Sequence, residues 1–303
     1  MHPAPSIILF TVVSGLGFGL LFFLCLGFPA VSGWTAFVWF FAAYALAVGG
    51  LALSAFHLGQ PRRALRAFTQ WRSSWLSREA VLSVATLCLC GLQALLLIFR
   101  ADGHPLLGGL AALFCLGSVF CTSMIYASLR TVPRWNHPVT PLVFCLTSLG
   151  GGAIMTGVPV LATPLLILLT AAQLGAWWIG DRRFADAGST VETATGLAAA
   201  LVGTRTTATA GATRVRLLEP PHTGESYLTR EMVFIVGRRH ATKLRILSLV
   251  CLVILPLCLL ALPAAGPEVT IPAVAAHAVG AIVSRWLFFA EAEHVVGLYY
   301  GRR

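Results

Sequence analysis

The chain has 303 residues, of which 57% are hydrophobic and only 11% charged, and it carries a net charge of +10. A soluble domain has roughly 25% charged residues, so this composition excludes one, because an apolar surface that extensive is tolerated only in lipid. Of the 21 basic residues all but Lys243 are Arg, and none lies in a run interleaved with aromatics, which argues against a nucleic-acid platform despite the positive charge.

Each crossing of a hydrocarbon layer about 30 Å thick takes roughly 20 residues at 1.5 Å rise. Runs of that kind fall at 7–28, 34–56, 80–99, 106–129, 140–157, 160–179, 244–262 and 269–290. The expected fold is therefore all-α, a polytopic integral membrane bundle of eight transmembrane helices forming one domain over 1–303. The first run has no basic flank and no small-residue cleavage site, so it is read as a helix rather than a signal peptide.

Between the second and third runs lies the first cluster of polar groups. His57 ends run 2, Glu79 precedes run 3, and a loop of 21 residues separates them. The two can meet across the mouth of one hairpin. Each also has a plain structural reading: His57, with Gly59 and Pro61 beyond it, complements a helix C-terminus, and Glu79, after a possible Ser77 cap, complements a helix start. The functional reading is a proton-exchanging imidazole and carboxylate beside a lipid-soluble two-electron carrier. Trp71, Trp75 and Arg78 line the same mouth, where aromatic anchors are common in any case.

The connections differ sharply in charge. One side holds Arg62, Arg63, Arg66, Arg72 and Arg78, then Arg130 and Arg134, then nine basic residues in 181–243, then Arg302 and Arg303. The other side holds only Arg100, Asp102 and Glu268. The positive-inside rule places the Arg-rich side and both termini in the cytoplasm of a cell inner membrane. The 181–243 segment has a capping-box pattern, Ser189-x-x-Glu192, a Pro220-Pro221 break and Thr229-Arg230-Glu231 leading into run 7. It is too small for a core of its own and reads as a cap packed on the bundle or on a partner, with a flexible loop as the alternative.

Later polar groups are few. Gly15-x-Gly17-x-Gly19 and Gly150-Gly-Gly152 allow close helix approach. Arg285 lies deep in run 8 and requires a partner inside the protein: Glu291, Glu293, another helix, or a quinone oxygen. Axial haem ligation needs two histidines at matched depth, but His277 and His294 sit 17 residues apart on one helix, leaving His57 with His137 or His294. No haem is therefore favoured. Cys88-x-Cys90 and Cys115-x5-Cys121 match no iron–sulfur spacing, and no disulfide framework or metal site is expected from the eight cysteines.

Five motifs taken together, Ser54-x-x-His57-Leu-Gly-x-Pro61-x-Arg63-Ala, Trp75-Leu-Ser-Arg-Glu79, Tyr126-Ala-x-Leu-Arg130-Thr-Val-Pro133-x-Trp135, Leu228-Thr-Arg-Glu231 and Arg285-Trp-Leu-Phe-Phe-Ala290, resemble the DmsC family. These are the membrane anchors of dimethyl sulfoxide reductase-type molybdoenzymes, and the Arg placement is most similar to the branch that anchors cytoplasmic sulfite dehydrogenase. The resemblance implies an anchor for an iron–sulfur electron-transfer subunit and a molybdopterin catalytic subunit, with molybdopterin and iron–sulfur clusters held only by those partners. It implies exchange of electrons with ubiquinone or menaquinone, with no chemistry on the sulfur substrate by this chain itself. His57 and Glu79 fall on the family's quinol-binding positions, with Arg78, Trp75 and Arg285 expected at the quinone, and Arg62, Arg63, Arg66, Arg130 and Arg134 at the partner-docking face. Sulfite oxidation with quinone reduction is the expected direction; a sulfoxide reductase anchor oxidising quinol is the alternative. A secondary transporter is the rival of another class, although no internal repeat supports it, and a passive scaffold is the third reading.

Overall fold

The computed structural model of the chain describes residues 4–55, 66–188, 190–191, 240–262 and 266–300. Within them the chain is helical and no strand is formed. The helices are α1 (Pro5–Cys25), α2 (Gly33–Ala55), α3 (Trp75–Phe99), α4 (Pro105–Ala127), α5 (Val139–Met155) and α6 (Pro159–Asp186). They are followed by α7 (Ala241–Leu260), α8 (Pro267–Ala290) and a 3₁₀ turn at Val295–Tyr300. Among the described residues seven of these are long and apolar enough to cross a membrane, and α5, with 17 residues, falls just short. The chain is a multi-pass membrane protein.

Helix α1 is the hub. It is apolar on every side, which suits only a helix enclosed by others, and it packs against α2, α3, α4, α5 and α8. Gly17 lies where a Cβ would collide with the Ala47 backbone of α2. Gly19 and Gly152 do the same between α1 and α5, and the Ser148 hydroxyl donates 2.6 Å to the Gly15 carbonyl. The glycine patterns are thus contact surfaces.

Helices α3 and α4 pair differently. Glu79, Ser83, Thr86, Cys90 and Gln93, spaced alternately by four and three residues, form the buried edge of α3. Opposite them on α4 stand Thr122, Ser118 and Cys115, with Thr86 Oγ1 2.8 Å from Ser118 Oγ and Cys90 Sγ 3.5 Å from Cys115 Sγ. At the far end the His104 N–H donates to Gln93 Oε1 at 3.2 Å.

Helix α7 contains a π-helical turn at Val250–Ile254, just before Pro256. Proline has no N–H for the carbonyl four residues earlier, Leu252. His277 of α8 takes that carbonyl, its Nδ1 lying 2.8 Å away, while its Nε2 lies 3.1 Å from the Thr147 carbonyl of α5. A fully buried histidine therefore sits between α5, α7 and α8, with each ring nitrogen facing a backbone carbonyl.

Helix α3 begins at Trp75, five residues before the run read from hydropathy, because Ser74 rather than Ser77 caps it, accepting from the Ser77 N–H at 3.5 Å. Helix α6 likewise continues beyond the apolar run to Asp186. His57, Arg62, Arg63, the Ser189–Glu192 pattern, Pro220-Pro221 and Thr229-Arg230-Glu231 lie outside the described residues.

Candidate functional site

The earlier start of α3 places Glu79 inside the helix, on its buried edge, and not at an open mouth. The residue is 5% exposed. Its carboxylate accepts a hydrogen bond from Thr122 Oγ1 of α4 at 2.5 Å, and no Lys or Arg among the described residues forms an ion pair with it. A buried carboxylate held by a neutral hydroxyl keeps both charge states accessible, whereas a paired guanidinium would fix it ionised. Whether His57 approaches it is a question that falls outside the described residues.

The groups around the start of α3 are organised by Arg78. Its Nε donates to the Trp71 carbonyl at 2.9 Å and its Nη2 to the Arg72 carbonyl at 2.7 Å, while the guanidinium lies 4.4 Å above the Trp75 ring. Trp75 meets Phe120 of α4 edge to face, with ring centroids 6.1 Å apart. Arg66 and Arg130 are exposed at this end of the bundle.

Arg285 is 4% exposed and has no carboxylate partner among the described residues. Its guanidinium stacks on Phe144 of α5 at 3.3 Å from the ring centroid, and its buried Nε has no hydrogen-bond partner. The expected salt bridge to Glu291 is not formed. Glu291 is held instead by Arg134, at 2.6 Å, and Arg245, at 2.8 Å. Asp181 closes the ring, 3.0 Å from Arg134 and 2.6 Å from Arg245. Arg134 is thus committed within the chain, because two carboxylates from α6 and the end of α8 reach it first.

Arg285 borders two small cavities. One, of about 10 Å³, is lined by Thr11, Ser14, Thr122, Thr147 and Ser148 and has room for one water. The other, of about 40 Å³, is lined by Thr140, Gln173 and Ser284 and leads to Arg134 and Glu291. Beyond those two residues a wider cleft of about 240 Å³ lies against Asp181 and Arg245. Neither cavity at Arg285 has the volume of an aromatic ring. A larger apolar groove of about 750 Å³ runs along α3, α4 and α5, with Leu82, Phe120 and Pro138 towards its Arg-rich end. Leu82 lies one helical turn from Glu79.

The motif residues Tyr126 and Trp135 converge with Phe144, Phe288 and Phe289 into an aromatic box beside Arg285, with ring centroids 5.0 to 5.8 Å apart. Trp135 Nε1 donates to the Phe288 carbonyl at 2.9 Å. Reading the sequence misses this box and Thr122. The only signal for the box was the joint occurrence of the two motifs, and nothing singled out one threonine of an apolar run. Outside the spans, burial lowers the affinity of His137 and His294 for a proton below that of an ordinary imidazole. Their Nδ1 atoms accept from the Val139 and Val296 N–H groups at 3.1 and 3.0 Å.

Residues 1–176 match the family described as DMSO reductase anchor subunit (DmsC). The chain is 31% identical to the C subunit of the sulfite dehydrogenase of Allochromatium vinosum, over 99% of each chain. No solved structure matches it.

Proposed function

Because the chain belongs to the DmsC family of anchor subunits, we propose that it is the quinone-reactive membrane subunit of a molybdoenzyme complex that oxidises sulfite. The observation that carries this reading is Glu79, a buried carboxylate in a membrane helix bonded to a hydroxyl and, among the described residues, to no cation. Buried ionisable groups in spans are expensive and are retained for function. In the proposed complex all eight helices cross the inner membrane, α5 included, with the Arg-rich ends in the cytoplasm. The partner subunits dock there, on Arg62, Arg63, Arg66 and Arg130, and hold the molybdopterin and the iron–sulfur clusters.

The quinone is the electron-accepting substrate. Its reduction takes two electrons from the partner's clusters and two protons from the protein, while sulfite gains an oxygen from water to become sulfate. The groove beside Leu82 and Phe120 has the volume for a ring and the first part of a hydrocarbon tail. Entry there brings the ring to Glu79 and, in our reading, to His57, with Trp75 and Arg78 forming the wall. Arg285 lies behind the aromatic box, in cavities too small for the ring. Its fixed charge acts at a distance, favouring negative charge on the reduced ring.

The test compares His57→Ala and Glu79→Gln in the purified complex, taking quinone-coupled turnover as a ratio to turnover with an artificial electron acceptor. That ratio should fall by about 100-fold or more, the usual contribution of an acid–base group. Equal loss of both activities overturns the reading and makes the two residues structural. Turnover driven by quinol and sulfoxide, with none from sulfite, would reverse the assigned direction.

A further inference from the structure

A carboxyl group that changes charge inside a bundle needs a neighbour whose hydrogen-bonding role can reverse, or one protonation state is left unpaired. Thr122 Oγ1 lies 2.5 Å from Glu79 Oε1 and 3.1 Å from the Ser118 carbonyl. It has one proton for two acceptors. With Glu79 ionised, Thr122 donates to it. With Glu79 protonated, the carboxyl O–H donates to Thr122 Oγ1 and the hydroxyl turns to the Ser118 carbonyl. Both states are fully paired, and apart from the proton gained or lost only a hydroxyl rotation separates them.

Thr122 also lines the water-sized cavity under Arg285. The other hydroxyls of that cavity spend their protons on backbone carbonyls: Thr11 on Ile8, Ser14 on Phe10, Thr147 on Val143 and Ser148 on Gly15. Their oxygens are left as acceptors, and Arg285 contributes a buried N–H that has no partner among the described residues. One donor and several acceptors around a space for a single molecule match a water.

We propose that Thr122 is the proton-transfer residue of Glu79, passing protons between its carboxyl group and a water held in the cavity shared with Arg285. The carboxyl proton moves to Thr122 Oγ1 as the hydroxyl proton moves to the water, and rotation of the new hydroxyl resets the pair. No electron moves in this step. A second cavity shares Phe144 and Arg285 with the first and holds Gln173, Ser284 and Glu291, and in the proposal the proton leaves along it. Uptake runs the same path backwards.

The proposal rests on the quinone reading of Glu79, and the test separates the two. In the purified complex the Glu79 carboxyl stretch is identified as the infrared band missing from Glu79→Gln, at acid pD. Its hydrogen–deuterium exchange is then followed in Thr122→Val and Thr122→Ser. Exchange should slow by about tenfold or more in T122V and return in T122S. The quinone-coupled kcat, normalised to turnover with the artificial acceptor, should fall by a similar factor while KM for quinone holds. Thr122→Ala replaces T122V if that variant does not assemble. Wild-type exchange and kcat in the hydroxyl-free variant overturn the proposal, as does a rise in KM with kcat kept. If E79Q itself retains quinone turnover the quinone reading falls, and the exchange rates alone decide the role of Thr122.

Discussion

The contacts of α1 with α2 and α5 and those of α3 with α4 solve the same problem by opposite means. In lipid there is no hydrophobic force between helices, so association relies on close packing or on interhelical hydrogen bonds. Around α1 the side chains are removed: Gly17 lies on the Ala47 backbone and Gly19 on Gly152 and Ser148. Between α3 and α4 polar side chains are kept and paired, Glu79 with Thr122, Thr86 with Ser118 and Cys90 with Cys115. The first kind of contact holds no acidic group. The second carries groups that can exchange protons, and the acidic one stands towards the Arg-rich end of the bundle. Close backbone contact and the buried acid thus fall to different helix pairs.

Substitutions that exchange the two solutions should break the contrast, and the largest effect is expected at the glycine contact. Gly152→Leu drives a side chain into the Gly19 backbone, where neither helix can yield without parting, at a cost of about 3 kcal/mol or more. The variant should be lost from the membrane or elute as aggregate on size-exclusion chromatography in detergent; a normal monodisperse peak would show that the contact can be spread. A much smaller loss is expected from Thr86→Ala or Ser118→Ala, about 0.6 kcal/mol each, with the double variant costing no more than their sum. Thermal unfolding in detergent measures both. Smallest of all is Cys90→Ala, which removes only weak thiol contacts to Cys115 and Cys25 at 3.5 and 3.6 Å and should shift the melting point by about a degree or less. A loss as large as that of G152L would give the thiol row a role that packing does not explain.

Most of the fold was legible because a continuous apolar run has few alternatives in lipid. The predicted runs match α1, α2, α4, α5 and α8 to within a few residues at each end. The errors at α3 and α6 share a cause. Hydropathy stops at the first charge, while the helical hydrogen-bond ladder does not: α3 begins before Arg78 and Glu79, and α6 runs past Asp181 and Arg183. Glu79 and Arg285 were visible as charges in apolar surroundings. Their neighbours were not, since Thr122 follows Glu79 by 43 residues and the ring under Arg285 is that of Phe144 on another helix. Only the fold brings those groups together.

Helix α5, with 17 residues, spans about 26 Å at 1.5 Å per residue, somewhat less than an ordinary hydrocarbon layer. It also forms one wall of the apolar groove, through Pro141, Leu142, Cys145 and Leu149. Acyl chains beside that wall must shorten or tilt to match it, a mismatch that costs fractions of a kcal/mol per ångström. With α5 crossing the membrane as proposed, the bilayer would be thinnest where the groove opens, and a molecule dissolved among the lipid tails would meet at that dimple the shortest distance to the charged end of the bundle.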